Sequence, residues 1–271
     1  MSKTQRRRSC GRRSRVQPVV LAGALLALVS SGSRTAQTPP ATPPQPPAAK
    51  GTPFDQPLQW MYEARKFHQS LTDYTCYLVS RERVRGVLQK ENMIHFMFRP
   101  QPFSVYMKWL SPSEIAGQEV AYLHGKNNNK MRVLPKKGGK IVGFQNIDPN
   151  DPRVFEHSRH NIYEAGIGNM IEQVTRAFEK ERQIGKTQLT VAEYNYNNKR
   201  CYRIEAMRVD RHREFYCYRT VIYVDQETKL PIRMENYDWP TTTSPQGDLT
   251  ELFCYIDLRF NTGLKDAHFT R

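Results

Sequence analysis

From Tyr74 to Phe260 the chain alternates apolar and polar residues with a period of two, in segment after segment, and this pattern constrains its fold more than any other feature. Successive side chains of a β-strand point to opposite faces, so each such segment buries one face of a sheet and wets the other. The alternation runs through Tyr74–Arg85, Asn92–Phe98, Phe103–Leu110, Glu119–Leu123 and Lys130–Leu134. It resumes in Gln188–Tyr196, Arg200–Val209, Glu214–Val224, Leu230–Tyr237 and Asp248–Phe260. Gly86, Pro100, Pro102, Pro112, Gly125–Asn129, Asn195–Lys199, Asp210–Arg213 and Gln226–Lys229 interrupt it. Connections this short, rich in Gly, Asn, Asp and Pro, join antiparallel neighbours.

Two stretches carry the helical period instead. Pro57 opens the first, through Gln59–Ser70, with Leu58, Met61, Tyr62, Arg65 and Leu71 along one stripe. The second spans Tyr163–Arg182, with Ile167, Met170, Ile171, Val174 and Phe178 on one face and Glu172, Arg176, Glu179 and Lys180 on the other. Gly166 and Gly168 are expected to loosen its first turns. Gly138–His160 has no clear period and reads as a long loop, either a lid or binding element or a plain disordered connection. The order helix, five strands, loop, helix, five strands describes an α+β, mostly β chain. Its expected fold is a curved antiparallel sheet with about two helices packed in the concave face.

The N-terminal residues follow a different logic. Lys3, Arg6, Arg7, Arg8, Arg12, Arg13 and Arg15 precede the apolar run Val19–Val29, and Ser31-Gly32-Ser33 then offers small side chains for cleavage. That is the order of a secretory signal, and an apolar run of this length spans only about half of a bilayer core as a helix. Residues 1–33 are therefore read as a signal peptide cleaved near Ser33, with an uncleaved N-terminal anchor as the alternative. Export places the protein in the periplasm or cell envelope. Residues 34–53 hold seven of the 18 prolines and no large apolar residue, the composition of a disordered linker. Residues 54–271 make up the folded domain.

Lys and Arg number 41 against 26 Asp and Glu. Setting aside the seven N-terminal cations leaves 34, still an excess, which reads as general surface charge, with an anionic headgroup contact as the sharper alternative. Arg200–Arg203 and Arg208–Arg219, interleaved with Tyr202, Ile204 and Phe215, fit an exposed sheet face, and export argues against nucleic acid. No nucleophile elbow, zinc-protease helix, phosphate loop or dinucleotide fingerprint is present. His157 and His160, beside Glu156, read as surface-loop residues. Asp225, Glu227, Glu235 and Asp238 read as solvent-facing strand charges. No catalytic residue, metal or cofactor is expected, and the protein is not read as an enzyme. Cys76, Cys201, Cys217 and Cys254 lie in strands without a C-x-x-C, leaving disulfides in any of three pairings and buried thiols both open.

The aromatic and Met content of the strands has two readings. Phe96 and Phe98 share a strand face, Phe103, Val105, Met107 and Trp109 share another, and Tyr202, Ile204, Tyr216, Tyr218, Ile222 and Val224 add similar rows. These are either an ordinary core or the lining of a cavity left where helices and sheet do not close. The candidate lining residues are Phe96, Phe98, Val105, Met107, Trp109, Ile167, Met170, Ile171, Val174, Ile222 and Val224.

Three segments carry a resemblance. Phe103–Leu110 (FSVYMKWL), Glu164–Ile171 (EAGIGNMI) and Val224–Pro240 (VDQETKLPIRMENYDWP) resemble an uncharacterised family of exported bacterial proteins with no assigned activity. The third, followed by Tyr255–Asn261 (YIDLRFN) and Gly263-Leu264, is similar to the end of the periplasmic lipoprotein-carrier superfamily that includes LolA and LolB. There a D-x-x-T-x-L-P turn joins two strands and a Y-x-D-x-x-x-N strand closes the chain. The resemblance implies an incomplete, highly curved barrel with helices plugging its mouth, and a hydrophobic cavity that shields acyl chains during transfer across the envelope. It assigns no carrier residue to this chain. The combined expectation is an exported monomer that binds a lipid or acyl chain as carrier or sensor, with peripheral membrane contact and no nucleic-acid partner. The alternative is a non-catalytic scaffold with a filled core that docks another envelope protein.

Overall fold

In a computed structural model, which describes residues 51–136, 141 and 143–271, the alternating segments pair into one antiparallel sheet. The expected signal peptide, most of the Pro-rich linker, and residues 137–140 and 142 of the long loop lie outside the described residues. Helix α1 (Asp55–Gln69) leads into β1 (Tyr74–Val84), β2 (Val87–Leu88), β3 (Asn92–Arg99), β4 (Ser104–Ser111), β5 (Glu119–Leu123), β6 (Met131–Leu134) and β7 (Gln145–Ile147). Helix α2 (Ile167–Ile184) leads into β8 (Thr187–Tyr196), β9 (Lys199–Arg208), β10 (Arg219–Asp225), β11 (Pro231–Tyr237) and β12 (Leu249–Phe260). α1 starts ahead of its apolar stripe because Asp55 accepts the backbone N–H and the hydroxyl of Thr52, at 2.7 and 2.8 Å.

The strands run in the order β7-β6-β5-β4-β3-β1-β12-β11-β10-β9-β8, with β2 a short hairpin partner of β1. Two meanders are thus joined by their innermost strands, β1 and β12, paired from Tyr74↔Phe260 to Glu82↔Glu251. The connection containing α2 carries the chain from edge strand β7 to the opposite edge strand β8. These two edges do not pair with each other among the described residues, so the sheet stays open.

The pattern fails at β10 and β12. β10 begins at Arg219 rather than Glu214: the Arg208 N–H donates to the Tyr218 carbonyl at 2.9 Å, and residues 210–217 between them form a loop outside the ladder. Tyr216 and Tyr218 therefore do not extend the row of Ile222 and Val224, and Tyr216 is 59% exposed. Within β12, Asp257 takes φ 53° and the register with β1 slips between Thr75 and Tyr77. This extra residue lets Phe253 and Tyr255 before it, and Leu258 and Phe260 after it, all pack on the same core. A bulge also bends and twists its strand, which curves the sheet at its centre.

One face of the sheet takes both helices. Leu58, Met61 and Ala64 of α1 and Ile167, Ile171, Val174 and Phe178 of α2 pack in one cluster with Tyr74, Phe96, Phe98, Val105, Ile204, Ile222 and Val224. Trp60 lies flat on Tyr202 at 4.0 Å, and Phe54 meets Phe178 edge to face. On the opposite face of β4 and β5, Phe269 packs over Tyr106, Ala121 and Leu123. All four described cysteines are buried free thiols, which settles the choice left open between disulfides and thiols.

Two of the acids expected to face solvent are instead buried at turns and ladders. Asp225 accepts the backbone N–H groups of Glu227 and Thr228 and the Thr228 hydroxyl, at 3.1, 2.8 and 3.0 Å, which is the physical content of the D-x-x-T turn between β10 and β11. Glu235 bonds Arg233 at 2.7 Å and accepts from Tyr237 on its own strand. Glu227 and Asp238 are exposed, as expected.

Asp73, 2% exposed at the entry to β1, accepts the Thr262 N–H and hydroxyl, both at 2.6 Å, and the N–H groups of Gly263 and Leu264. Burial alone would raise this carboxyl, but the Thr262 and Leu264 bonds outweigh it and hold it below the ordinary carboxylate value. Its contribution is therefore present at neutral pH and lost as pH falls through the depressed value. Asp73→Ala is expected to lower the unfolding free energy by about 2–3 kcal/mol at neutral pH, with the gap to the parent narrowing below about pH 4. Urea denaturation at the two pH values checks both statements.

Candidate functional site

The eleven candidate lining residues come together. All lie in the core cluster between the sheet and the helices, nine of them at 5% exposure or less, with Met107 and Trp109 partly buried. Strand alternation places Phe96, Phe98, Val105, Met107, Trp109, Ile222 and Val224 toward the helices, and helical spacing turns Ile167, Met170, Ile171 and Val174 back toward them. None of the eleven lines either of two surface pockets, of about 480 and 280 Å³.

The way the helices are held is uneven along their length. To each other they are bound at the solvent side, where Arg65 forks onto Glu172 at 2.6 and 2.8 Å and Tyr62 donates to Glu179 at 2.9 Å. Toward the sheet, the middle of the pair makes apolar contact. At the start of α2 the Ile167 N–H donates to the Tyr74 hydroxyl at 2.9 Å. At its end Glu181 and Arg208, with side chains 4% and 3% exposed, form a buried ion pair, and Thr187 donates to Glu181 at 2.9 Å. Gly166, just before α2, and Gly168, in its first turn, let the helix seat closely. A Cβ at Gly166, where φ is 100°, would stand 2.7 Å from the Phe98 ring, and one at Gly168 would stand 2.6 Å from His68. His68 Nε2 is buried there without a hydrogen-bond partner, and burial pushes the imidazole pKa down.

A second constellation runs across the strands. Register places Glu82 of β1 opposite Glu251 of β12, Glu251 opposite Asn236 of β11, and Asn236 opposite Thr220 of β10. Asn236 donates to Glu251 at 2.7 Å and accepts from Thr220 at 2.8 Å, while Arg208 of β9 donates to Thr220 at 2.7 Å. The segment before α2 closes over this row. Ser158 and the Arg159 N–H donate to Glu82 at 3.1 and 2.7 Å, and Tyr216 donates to Glu251 at 3.1 Å. His160 bridges Glu251 through Nε2 at 2.9 Å and Glu164 through Nδ1 at 2.7 Å.

Burial alone would lower the His160 pKa, but the hydrogen bond and charge of Glu251, with the bond to Glu164, raise it to about 9. Glu251, also opposed by burial, is held below its ordinary value by His160 and Asn236, whereas burial leaves Glu82 raised. His160 is thus an imidazolium clasped by two carboxylates, with neither ring nitrogen available to a metal or a reacting group. This corrects the reading of His157 and His160 together as surface-loop residues: His157 is exposed, but His160 pins the segment to the sheet. Glu82 and Glu251 escaped notice because only strand pairing makes them neighbours. The one local cue was Asn161-x-x-Glu164, whose reciprocal cap fixes the turn that presents Glu164. Among the described residues, no group of three or more His, Cys, Asp or Glu is arranged to hold a metal ion.

A family model described as a protein of unknown function, DUF1571, matches residues 71–271. No curated protein matches the chain in sequence. Among solved structures, a putative outer membrane lipoprotein-sorting protein domain from Vibrio parahaemolyticus is similar at 12% identity over 79% of this chain and 95% of that one, with TM-score 0.37. The lipoprotein LppX of Mycobacterium tuberculosis is similar at 10% identity, over 78% and 98%, with TM-score 0.44. A LolA superfamily protein from Nitrosomonas europaea is similar at 11% identity, over 79% and 96%, with TM-score 0.31.

The raised pKa of His160 implies a pH dependence of the clasp. Its folded-state pKa lies above the unfolded value of about 6.5, so its stabilisation is complete below that pH and is lost as pH rises through about 9. Amide exchange of residues 158–165, corrected for intrinsic base catalysis, is expected to rise between pH 7 and pH 10 in the parent. In His160→Gln it is expected to be fast throughout, with no such step.

Proposed function

The chain belongs to the DUF1571 family of proteins of unknown function, and we propose that it binds an apolar or amphipathic ligand, such as the acyl chains of a lipid or lipoprotein, between its helix pair and the concave face of its sheet. It acts in this reading as a non-catalytic carrier or sensor. The order of charge, apolar run and small residues in 1–33 supports its export to the periplasm or cell envelope. The observation that carries the proposal is the apolar seam beneath the helices. Apolar contact is non-directional, so an acyl chain can replace helix side chains against Phe96, Phe98, Val105 and Val224. Each CH₂ buried there contributes about 0.8 kcal/mol.

Moving the helices as a unit breaks the Ile167–Tyr74 hydrogen bond at the start of α2 and keeps the tie at its end. Arg65 and Glu172 keep the pair together, and the Glu181–Arg208 pair at the end of α2 serves as the pivot. Met107 and Trp109, partly buried, mark the side on which a chain enters.

A second reading, a scaffold with a filled core that docks another envelope protein, is favoured by a different observation. Nine of the eleven candidate residues are already enclosed by protein atoms. The two readings part on access to the seam. Trp60 and Trp109 pack on the core cluster, whereas Trp239 stacks near Tyr218 and Arg211 in a loop. In single-Trp variants, with the other two replaced by Phe, a brominated fatty acid is expected to quench Trp109 and Trp60 saturably and to spare Trp239. Met107→Asp is expected to abolish the quenching while leaving the circular dichroism unchanged. Absence of saturable quenching at Trp60 and Trp109 would leave the filled-core scaffold.

A further inference from the structure

The larger surface pocket, of about 480 Å³, lies where the β1–β2 turn faces the segment before α2, and its lining includes Arg83, Arg85, Phe155, Ser158, Arg159 and Asp238. We propose that it is a binding site for a phosphate ester, with the guanidinium groups on the phosphate and Phe155 against the organic part. None of its lining residues belongs to the apolar seam, so it stands or falls independently of the acyl-chain reading.

The lining holds three arginines, Arg83, Arg85 and Arg159, and one acid, Asp238. Two of the three are fixed by the protein. Arg83 donates to the Leu249 and Gly86 carbonyls at 3.1 and 3.0 Å, and its remaining contact, to Asp248, is 3.7 Å. Arg159 donates to the Tyr216 hydroxyl at 2.8 Å and stands 3.6 Å from Glu251. Arg85 has no acidic partner within 4.0 Å among the described residues. Planar guanidinium forks suit tetrahedral phosphate oxygens, and two held in place lose little freedom on binding.

The backbone at Arg85 points the same way. Arg85 and Gly86 form the two-residue turn between Val84 and Val87, with φ 51° and 81°. A turn of this kind prefers Asn or Gly at its first position, and Arg pays a conformational penalty there. The unfavourable backbone state is held at the residue that brings a cation without an acidic partner to the pocket lining. Phe155 is 38% exposed at the same pocket, and the volume exceeds that of a bare phosphate. The shared chemistry is that of a lipid headgroup and of a soluble phosphate ester.

Arg85→Asn separates binding from folding, because Asn suits the turn while removing the charge. Binding of the exported chain, after removal of residues 1–33, to glycerol 3-phosphate is measured by calorimetry, and to phosphatidylglycerol–phosphatidylcholine vesicles by co-sedimentation. Arg85→Asn is expected to weaken binding about ten-fold, the loss of one charge-assisted contact, with no fall in unfolding stability. Arg213→Asn, whose side chain is 89% exposed outside the pocket, is expected to bind as the parent does. Binding to both probes with this dependence supports a site for phosphate esters in general, and binding to vesicles alone supports a headgroup site. Absence of binding to either probe, parental affinity in Arg85→Asn, or an equal loss in Arg213→Asn overturns the proposal.

Discussion

The pairing of β1 with β12 is the contact on which the rest of the molecule depends. These strands lie more than 160 residues apart, at opposite ends of the described domain, yet they form the middle of the sheet. Each meander by itself is a local structure of neighbouring hairpins, and only this seam turns two half-sheets into one surface wide enough to receive both helices. Closing so long a loop has an entropic cost, and the ends of the seam are accordingly well secured. At one end Asp73 collects the backbone N–H groups that follow β12. At the other, Glu82 and Glu251 face each other and are reconciled by Ser158, Arg159 and His160.

That second end shows how a buried polar row becomes a positioning device. Two facing carboxylates away from water are unfavourable unless cations and donors reach them. The segment before α2 supplies these, and in doing so is drawn onto the sheet. The same segment contributes Phe155, Ser158 and Arg159 to the pocket next to the β1–β2 turn. A charge requirement in the sheet thereby places a basic concavity on the surface. The apolar seam under α1 and α2 is governed by the opposite rule, since contact without direction leaves the helices exchangeable wherever no polar tie holds them.

Much of this was legible in the chain. Period-two alternation located every long strand, including β8, which buries no residue, and β11, which is buried on both faces. Helical spacing placed Ile167, Ile171, Val174 and Phe178 on one face of α2, and all four are in the core. The pattern misled at β10 and β12: residues 210–217 form a loop outside the ladder between Arg208 and Tyr218, and the bulge at Asp257 moved the inward positions of β12 by one residue. Gly166 and Gly168 are also sites where no Cβ fits, a constraint set by Phe98 and His68 beyond any local window.

By itself the sequence determined the class of structure, the two helices, the antiparallel hairpins and much of the apolar face that the helices cover, because these follow from periodicity and turn chemistry within a few residues. Tertiary structure alone decided which strands meet in the middle, that Asp225 and Glu235 are buried partners rather than solvated charges, and that His160 is clasped between Glu164 and Glu251. It also decided that Arg83, Arg85 and Arg159 share one concavity. The reason is common to all of these. Hydrophobic burial is read from one residue's own alternation, whereas a polar group's role depends on the partner it finds, and here that partner lies across a strand register no local pattern encodes.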